Sequence, residues 1–520
     1  MPEAFAQRIP RPPAFVDAQD CRRWLAALSG EHPARAHAAL VAESNLLNAQ
    51  PLAPDERLRI LELLREAAHR ACSEAARRFA RRALPLAASE KAAFDANVAL
   101  ARALAKGYAI CLEAGAPGQS RAPGEAALAA QRSLATLAWE QLDACRTGIE
   151  SAPSFWRAAH RIYSAAEALG VAEDAVEDPL FDERAASPAA VYAYVLLLHR
   201  CDAHELEPSE FESARRHLAR WSRHLKFSAS PPPFFRLPPL VVDCAGSRPP
   251  SQVPPQAGRL RYLDTAPLAA KLKRRLQATA DGAARATHAP EPGFWRHLYE
   301  HCCKGALVRL PASGKVGGDC RLVTGLDAAH YYLSGRKPFR EPIDEATLAS
   351  WEVEKIATLR MLAPRVENGF SRSRGFQVET WQLIEASGGE LTLFRPPDAP
   401  GRLGRGQLVA IKGPPDEAYV LARVHWVRLD AQGATLARVR RIPGTPRPAA
   451  IRVAPAARAD GQWRPGFVVT GGATPSLVGP RGAFRPGDVI DLLDNGRRSV
   501  KLTAFLERGI DFERGSLGSP

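Results

Sequence analysis

Apolar residues recur at intervals of three and four from residue 17 to about 226, interrupted only by Pro, Gly or Ser-Pro breaks. That period belongs to helices that bury one face. Eight helices are predicted. Asp17 caps the first, which ends at Ser29-Gly30, and the second runs over about 32–48. Pro54-Asp55 opens a third reaching Ala83, and others follow at about 89–114, 125–147, 153–169, 187–203 and 208–226. A short oxygen-bearing side chain or a proline at each start suits the unpaired N–H groups of a first turn. The short connections fit antiparallel pairs, either a bundle or a helical-repeat array.

The period changes after a proline-rich hinge, Ser230 to Pro239. Strands are predicted at 240–244, 259–262 and 321–324, with helices at 266–279, 294–304 and 344–362. Alternating apolar runs then dominate, at 376–384, 390–394, 407–411, 419–427 and 435–439, parted by Gly, Pro and Asp turns. Such short, turn-bounded strands suit a small antiparallel barrel. An Asn495-Gly496 hairpin signal joins two further runs, 489–493 and 500–505. The expected class is therefore multidomain α+β: an all-helical domain over 1–228, a mixed segment over 229–365, a β-barrel over 366–450 and a β-hairpin extension over 451–520.

Two stretches of the β region are alike, Leu403 to Ile411 and Phe484 to Leu492. Each sets Gly before a polar residue and an apolar strand, and each is followed by a return to a second Gly, at 433 and 509. Duplication of a hairpin and chance likeness of two Gly-bounded hairpins both account for this.

Composition narrows the class further. Of 520 residues, 46% are hydrophobic and 24% charged, which is a globular balance over a length that needs several cores. The longest apolar run, Val191 to Leu198, is far short of the roughly 20 residues of a bilayer span. The N-terminus has no apolar signal-peptide core. Nine cysteines without a CxxC pair argue for a reducing compartment, so a cytoplasmic location is expected. Lys and Arg number 70 against 56 Asp and Glu, a net charge of +14. That excess suits an anionic ligand, although no basic run of five marks a nucleic-acid surface, and nucleic acid is not expected as a partner.

One β segment carries recognisable chemistry. Trp381 to Leu393 contains Glu-Ala-Ser-Gly-Gly-Glu, followed by Gly404 to Ile411 and by Ala422-Arg-Val-His-Trp426. This order resembles the PilZ family, in which a D/N-x-S-x-x-G strand follows an upstream RxxxR motif. The resemblance implies a β-barrel that binds cyclic di-GMP, a ligand with two phosphates and two guanines. Arginine suits both groups, since its fork pairs with phosphate and its plane stacks on a base. On this likeness the candidate ligand residues are Arg309, Arg372, Arg374, Glu385, Ser387, Gly388, Gly389 and Arg423. The pattern is degenerate at three points: Glu385 replaces Asp or Asn, Glu390 replaces the last Gly, and Ser313 stands where a second arginine belongs. Read without the family, Ser387-Gly388-Gly389 is an ordinary turn, and Arg309 and Arg423 are solvated strand-edge residues.

Other constellations carry less. His297 and His301 lie one turn apart, but the glutamate of a metal-binding HExxH is missing and no third ligand is near in sequence. They are read as a packed face, and no metal or cofactor is expected. The chain has no Walker-A loop, Gly-x-Ser-x-Gly elbow or local Cys-His pair, so no catalytic residue is assigned and no enzyme activity is expected. Two readings remain: a cyclic di-GMP effector that couples the messenger to a protein partner through its helical domain, or a ligand-free adaptor with a degenerate barrel.

Overall fold

Asp17 accepts a hydrogen bond from the backbone N–H of Asp20 at 2.8 Å, and this cap opens the first helix of the computed structural model. The structure describes residues 12–114, 123–181, 185–232, 237–256, 258–280, 292–304, 317–342, 376–414, 416–454 and 462–518. They fall into two units, which divide between residues 309 and 310, with the short segment 83–85 counted in the second.

The first unit opens with the helices α1 (Ala18–Leu28), α2 (Pro33–Asn48), α3 (Pro54–Phe79), α4 (Ala88–Glu113), α5 (Pro123–Thr147), α6 (Pro153–Ala168), α7 (Pro188–Arg200) and α8 (Pro208–Ser222). Between α6 and α7 lies a two-stranded ribbon, β1 (Val176–Glu177) with β2 (Ala185–Ala186). α4 packs on α3 and α5, and α5 on α7. The apolar run Val191 to Leu198 becomes the middle of α7, buried on every side, which is why it is apolar all round. No helix among the described residues is long and apolar enough to cross a membrane. A polar contact sits inside this core. Asp178 accepts from Arg65 Nη1 and Nη2 at 2.7 Å each and from Gln131 at 2.9 Å, with Arg132 Nη1 at 3.4 Å. Burial pushes the Asp178 carboxyl up, but the Arg65 and Arg132 charges and these hydrogen bonds hold it below the usual range.

The segment that sequence reading attaches to the barrel belongs largely to this unit instead. Strands β3 (Phe227–Ser228), β4 (Leu240–Asp243) and β5 (Leu260–Leu263) form a sheet in the order β3-β5-β4. They are followed by α9 (Ala266–Ala280), α10 (Pro292–Tyr299) and a π-helical turn, Glu300–Lys304. Leu240, Val242, Leu263, Leu268, Phe294 and Cys302 join the same core as α7, so the apolar faces of 240–304 are spent on the helices.

The second unit holds two closed six-stranded barrels. The first comprises β6 (Asp319–Thr324), β7 (Glu379–Ser387), β8 (Glu390–Arg395), β9 (Leu408–Gly413), β10 (Asp416–Leu429) and β11 (Thr435–Arg441), with α11 (Leu326–Leu333) after β6. The second comprises β12 (Thr445–Val453), β13 (Arg464–Thr470), β14 (Ser476–Pro480), β15 (Val489–Leu493), β16 (Arg497–Arg508) and β17 (Phe512–Gly518). Around the first barrel the strands run β6-β7-β8-β11-β10-β9, and around the second β12-β13-β14-β17-β16-β15. Adding six to each strand of the first order gives the second. The two alike stretches lead into β9 and β15, and the two return glycines lead into β11 and β17, which are equivalent places in the two barrels.

The described residues of 451–520, expected as a hairpin extension, thus belong to a complete barrel that starts at Thr445. β12 escapes sequence reading because Pro446 and Pro448 interrupt it. They lie where β12 pairs with β13 alone, since its pairing with β15 covers only Ala450 to Val453. Proline is tolerated where one side of a strand makes no ladder. The first barrel likewise begins at β6, well before residue 366. The expected helix over 344–362 lies outside the described residues. Val323, Leu408, Phe467, Val478 and Phe512 form one apolar cluster, to which α11 adds Leu326 and Ala329, so the barrels share part of their core.

Candidate functional site

The turn between β7 and β8 is the two residues Gly388 and Gly389, at φ +58° and +84°. Positive φ at both positions is what a tight hairpin of this kind requires, and glycine adopts it without strain. Ser387, Gly388 and Gly389 are all exposed there, and Glu385 is exposed two residues earlier on β7.

From this turn the register draws a line across four strands. Ser387 pairs with Glu390, Glu390 with Arg440 and Arg440 with Arg423. Directly paired residues in an antiparallel sheet present their side chains on one face. The next row holds Glu385, Thr392, Arg438 and Trp426. Between the rows β10 bulges at His425, the residue skipped between the Val424–Val439 and Trp426–Arg438 pairs. Bulges re-aim side chains and are common beside functional sites.

This face is dense in guanidinium groups. Arg440 donates to Glu390 and is exposed, while Arg438 Nη1 lies 3.9 Å from the other Glu390 oxygen. Arg438 and Arg428 each lie 5.4 Å from the centre of the buried Trp426 ring, within cation–π reach. Arg423 Nη1 is 3.4 Å from Glu507 of β16, and its Nε is buried without a hydrogen-bond partner among the described residues. Burial, then the charges of Arg440 and Arg405, push the His425 imidazole down to about 4 against an opposing pull from Glu390, with a lesser push from Arg423.

Of the residues expected from sequence, Glu385, Ser387, Gly388, Gly389 and Arg423 come together on this part of the first barrel. Arg423 lies on β10, between β9 and β11, so it is not on a sheet edge. Arg309, Arg372 and Arg374 lie outside the described residues. Arg405, His425, Arg438 and Arg440 were missed. For Arg438 and Arg440 the sequence signal is the alternation of Arg with apolar residues in Leu436 to Arg441, which reads as a plain amphipathic strand. Glu390, which stands in place of the pattern's last Gly, has its carboxylate paired with Arg440.

Residues 19–232 match the family model described as the N-terminal domain of the cyclic-di-GMP receptor FimW. The cyclic-di-GMP receptor FimW of Pseudomonas aeruginosa is 24% identical over 501 residues, covering 86% of this chain and 81% of that protein. The chain is cyclic-di-GMP receptor-like. A solved structure, the Bacillus subtilis inhibitor of motility (MotI/DgrA), aligns over 40% of this chain and 90% of its own at 8% identity. Its TM-score is 0.11.

Proposed function

We propose that this chain is a cytoplasmic cyclic di-GMP-binding regulatory protein whose first barrel takes the ligand in a PilZ-like manner, on the face of β7, β8, β11 and β10. The observation that carries this reading is the row Ser387, Glu390, Arg440 and Arg423, flanked by Arg438 and His425 beside a Gly-Gly turn. Two phosphates need cationic forks, and guanine needs a flat cation or a short polar side chain. The row offers both, and the turn has no side chain beyond hydrogen to obstruct a bulky ligand. The resemblance to a receptor along most of the chain's length favours regulation over catalysis. Signal transfer to a protein partner through the helical unit completes the proposal.

A second reading, a ligand-free adaptor, draws on one observation: Glu390 already occupies Arg440. Titration calorimetry of the full chain with cyclic di-GMP separates the two. Saturable binding that weakens in Arg440→Ala supports the receptor. Absence of heat up to high micromolar ligand, in both wild type and Glu390→Gln, would leave the adaptor.

A further inference from the structure

His297 and His301 were set aside for want of a third ligand, and folding supplies one. Glu205, in the segment that follows α7, faces both rings: its Oε2 lies 3.7 Å from His297 Nδ1 and 3.8 Å from His301 Nε2. One ligand atom from each of the three residues falls within 4.8 Å of the others. All three residues lie in the first unit.

The far nitrogens of the rings are arranged to match. His297 Nε2 is 2.7 Å from the carbonyl oxygen of Cys201. A carbonyl only accepts, so Nε2 carries the proton when the ring is neutral, and the lone pair sits on Nδ1, facing Glu205. On His301, Nδ1 lies 3.9 Å from Asp202 Oδ2, and Nε2 is the atom that faces Glu205. Metal-bound histidines characteristically turn their other nitrogen to a carbonyl or a carboxylate, which sets the tautomer and the ring plane. Here the Cys201 carbonyl is hydrogen-bonded to the His297 ring, and the carboxylate of the adjacent Asp202 faces His301 Nδ1 from just beyond hydrogen-bond reach.

The backbone that holds these groups is unusual on both sides. Asp202 has φ +43°, a conformation that non-glycine residues seldom adopt. His301 lies in the π-helical turn, and buried Arg200 donates to its carbonyl oxygen at 3.2 Å. Single π turns concentrate at functional sites because they shift a side chain out of the ordinary helical register. The two imidazoles are 4.2 Å apart and 30° from parallel. His301 is 8% exposed, and its Nδ1 is buried with no hydrogen-bond partner among the described residues. A buried polar atom left this way needs an explanation: an ion on Nε2 would fix the proton on Nδ1, the nitrogen that faces Asp202 Oδ2.

We propose that Glu205, His297 and His301 bind a divalent transition-metal ion, zinc by the nitrogen and oxygen character of the donors, with Asp202 and the Cys201 carbonyl orienting the rings. Tetrahedral zinc with bonds of about 2.0–2.1 Å spaces its ligand atoms about 3.4 Å apart, so the trio has only to contract. The ion would tie the segment after α7 to the π-helical turn about 95 residues on. This site does not depend on the cyclic di-GMP reading.

The full chain, stripped with chelator and titrated with Co2+ as a spectroscopic stand-in for zinc, tests it. Wild type is expected to take up about one ion per chain, to show the intense visible bands of low-coordinate cobalt, and to melt at higher temperature with the ion. His301→Gln and Glu205→Gln should each bind at least about tenfold more weakly, whereas His224→Gln, which alters an exposed histidine outside the trio, should bind as wild type does. Wild type that shows neither the bands nor a rise in melting temperature at high micromolar Co2+ would overturn the site, whatever the variants do. Equal binding by wild type and Glu205→Gln would do so as well.

Discussion

Arg440 donates through Nε and Nη2 to a single oxygen of Glu390, at 2.9 and 2.6 Å, across the β8–β11 register. The pair lies in the middle of the row that begins at Ser387, so it governs whether Arg440 is available to an anion. Glu390→Gln removes the competing charge and keeps the strand-forming side chain. An exposed pair of this kind is worth about 0.2–1 kcal/mol, so cyclic di-GMP should bind about 1.4- to fivefold more tightly. Arg440→Ala should weaken binding roughly tenfold, the scale of one charge-assisted hydrogen bond. Calorimetry reads both, and tighter binding by Arg440→Ala would refute the site.

His425 gives the first barrel a pH signature. Its folded pKa, about 4, lies below the ordinary 6.5, so folding favours the neutral ring. The unfolded chain therefore holds the extra proton between those values, and stability falls as pH drops through that window. A bound phosphate acts in the opposite sense, because it favours the imidazolium and raises the pKa. Cyclic di-GMP affinity should therefore increase as the pH is lowered from about 6.5 to about 4.5, and His425→Ala should flatten the trend. Titrations at the two pH values, on samples whose fold is checked by circular dichroism, decide it.

Within the first unit, Asp178→Ala should be severely destabilising. The substitution leaves Arg65 buried at 3% side-chain exposure without its bidentate partner. Breaking a buried pair on one side costs about 3–5 kcal/mol, far more than the pair itself contributes. Urea unfolding measures the loss, and a change below about 1 kcal/mol would mean that Arg65 finds another acceptor.

The place where the first unit ends is testable by truncation. A chain cut after residue 228 loses Leu240, Val242, Leu263, Leu268 and Phe294 from the helical core, whereas one cut after residue 304 keeps them. The longer fragment should be soluble and melt cooperatively, and the shorter should aggregate or bind hydrophobic dyes. Equal behaviour of the two would place the boundary at the proline hinge after all.

The helices were legible because each carries its own start signal and a 3.6-residue stripe, as Asp17 before α1 and Pro54 before α3 illustrate. The strands of the first barrel were legible for the corresponding reason, alternation between glycine-rich turns. β12 was not, because its prolines read locally as a break, and what admits them is the absence of a second neighbour over that stretch. Five of the eight expected ligand residues share one region of the first barrel. Arg438 and Arg440 entered only with the register, since a strand does not state which strand it will lie beside.

The amino-acid sequence by itself determined the local elements, the α-then-β order and the likeness of β9 to β15, because these depend on spacing within a few residues. Tertiary structure decided what distant residues do to one another. It paired Arg440 with Glu390 across 50 positions, closed strands β12 to β17 into a second barrel of the same topology, and set Glu205 against His297 and His301. Spacing along a chain fixes which face of an element a residue occupies, but only packing and strand register choose the element it meets.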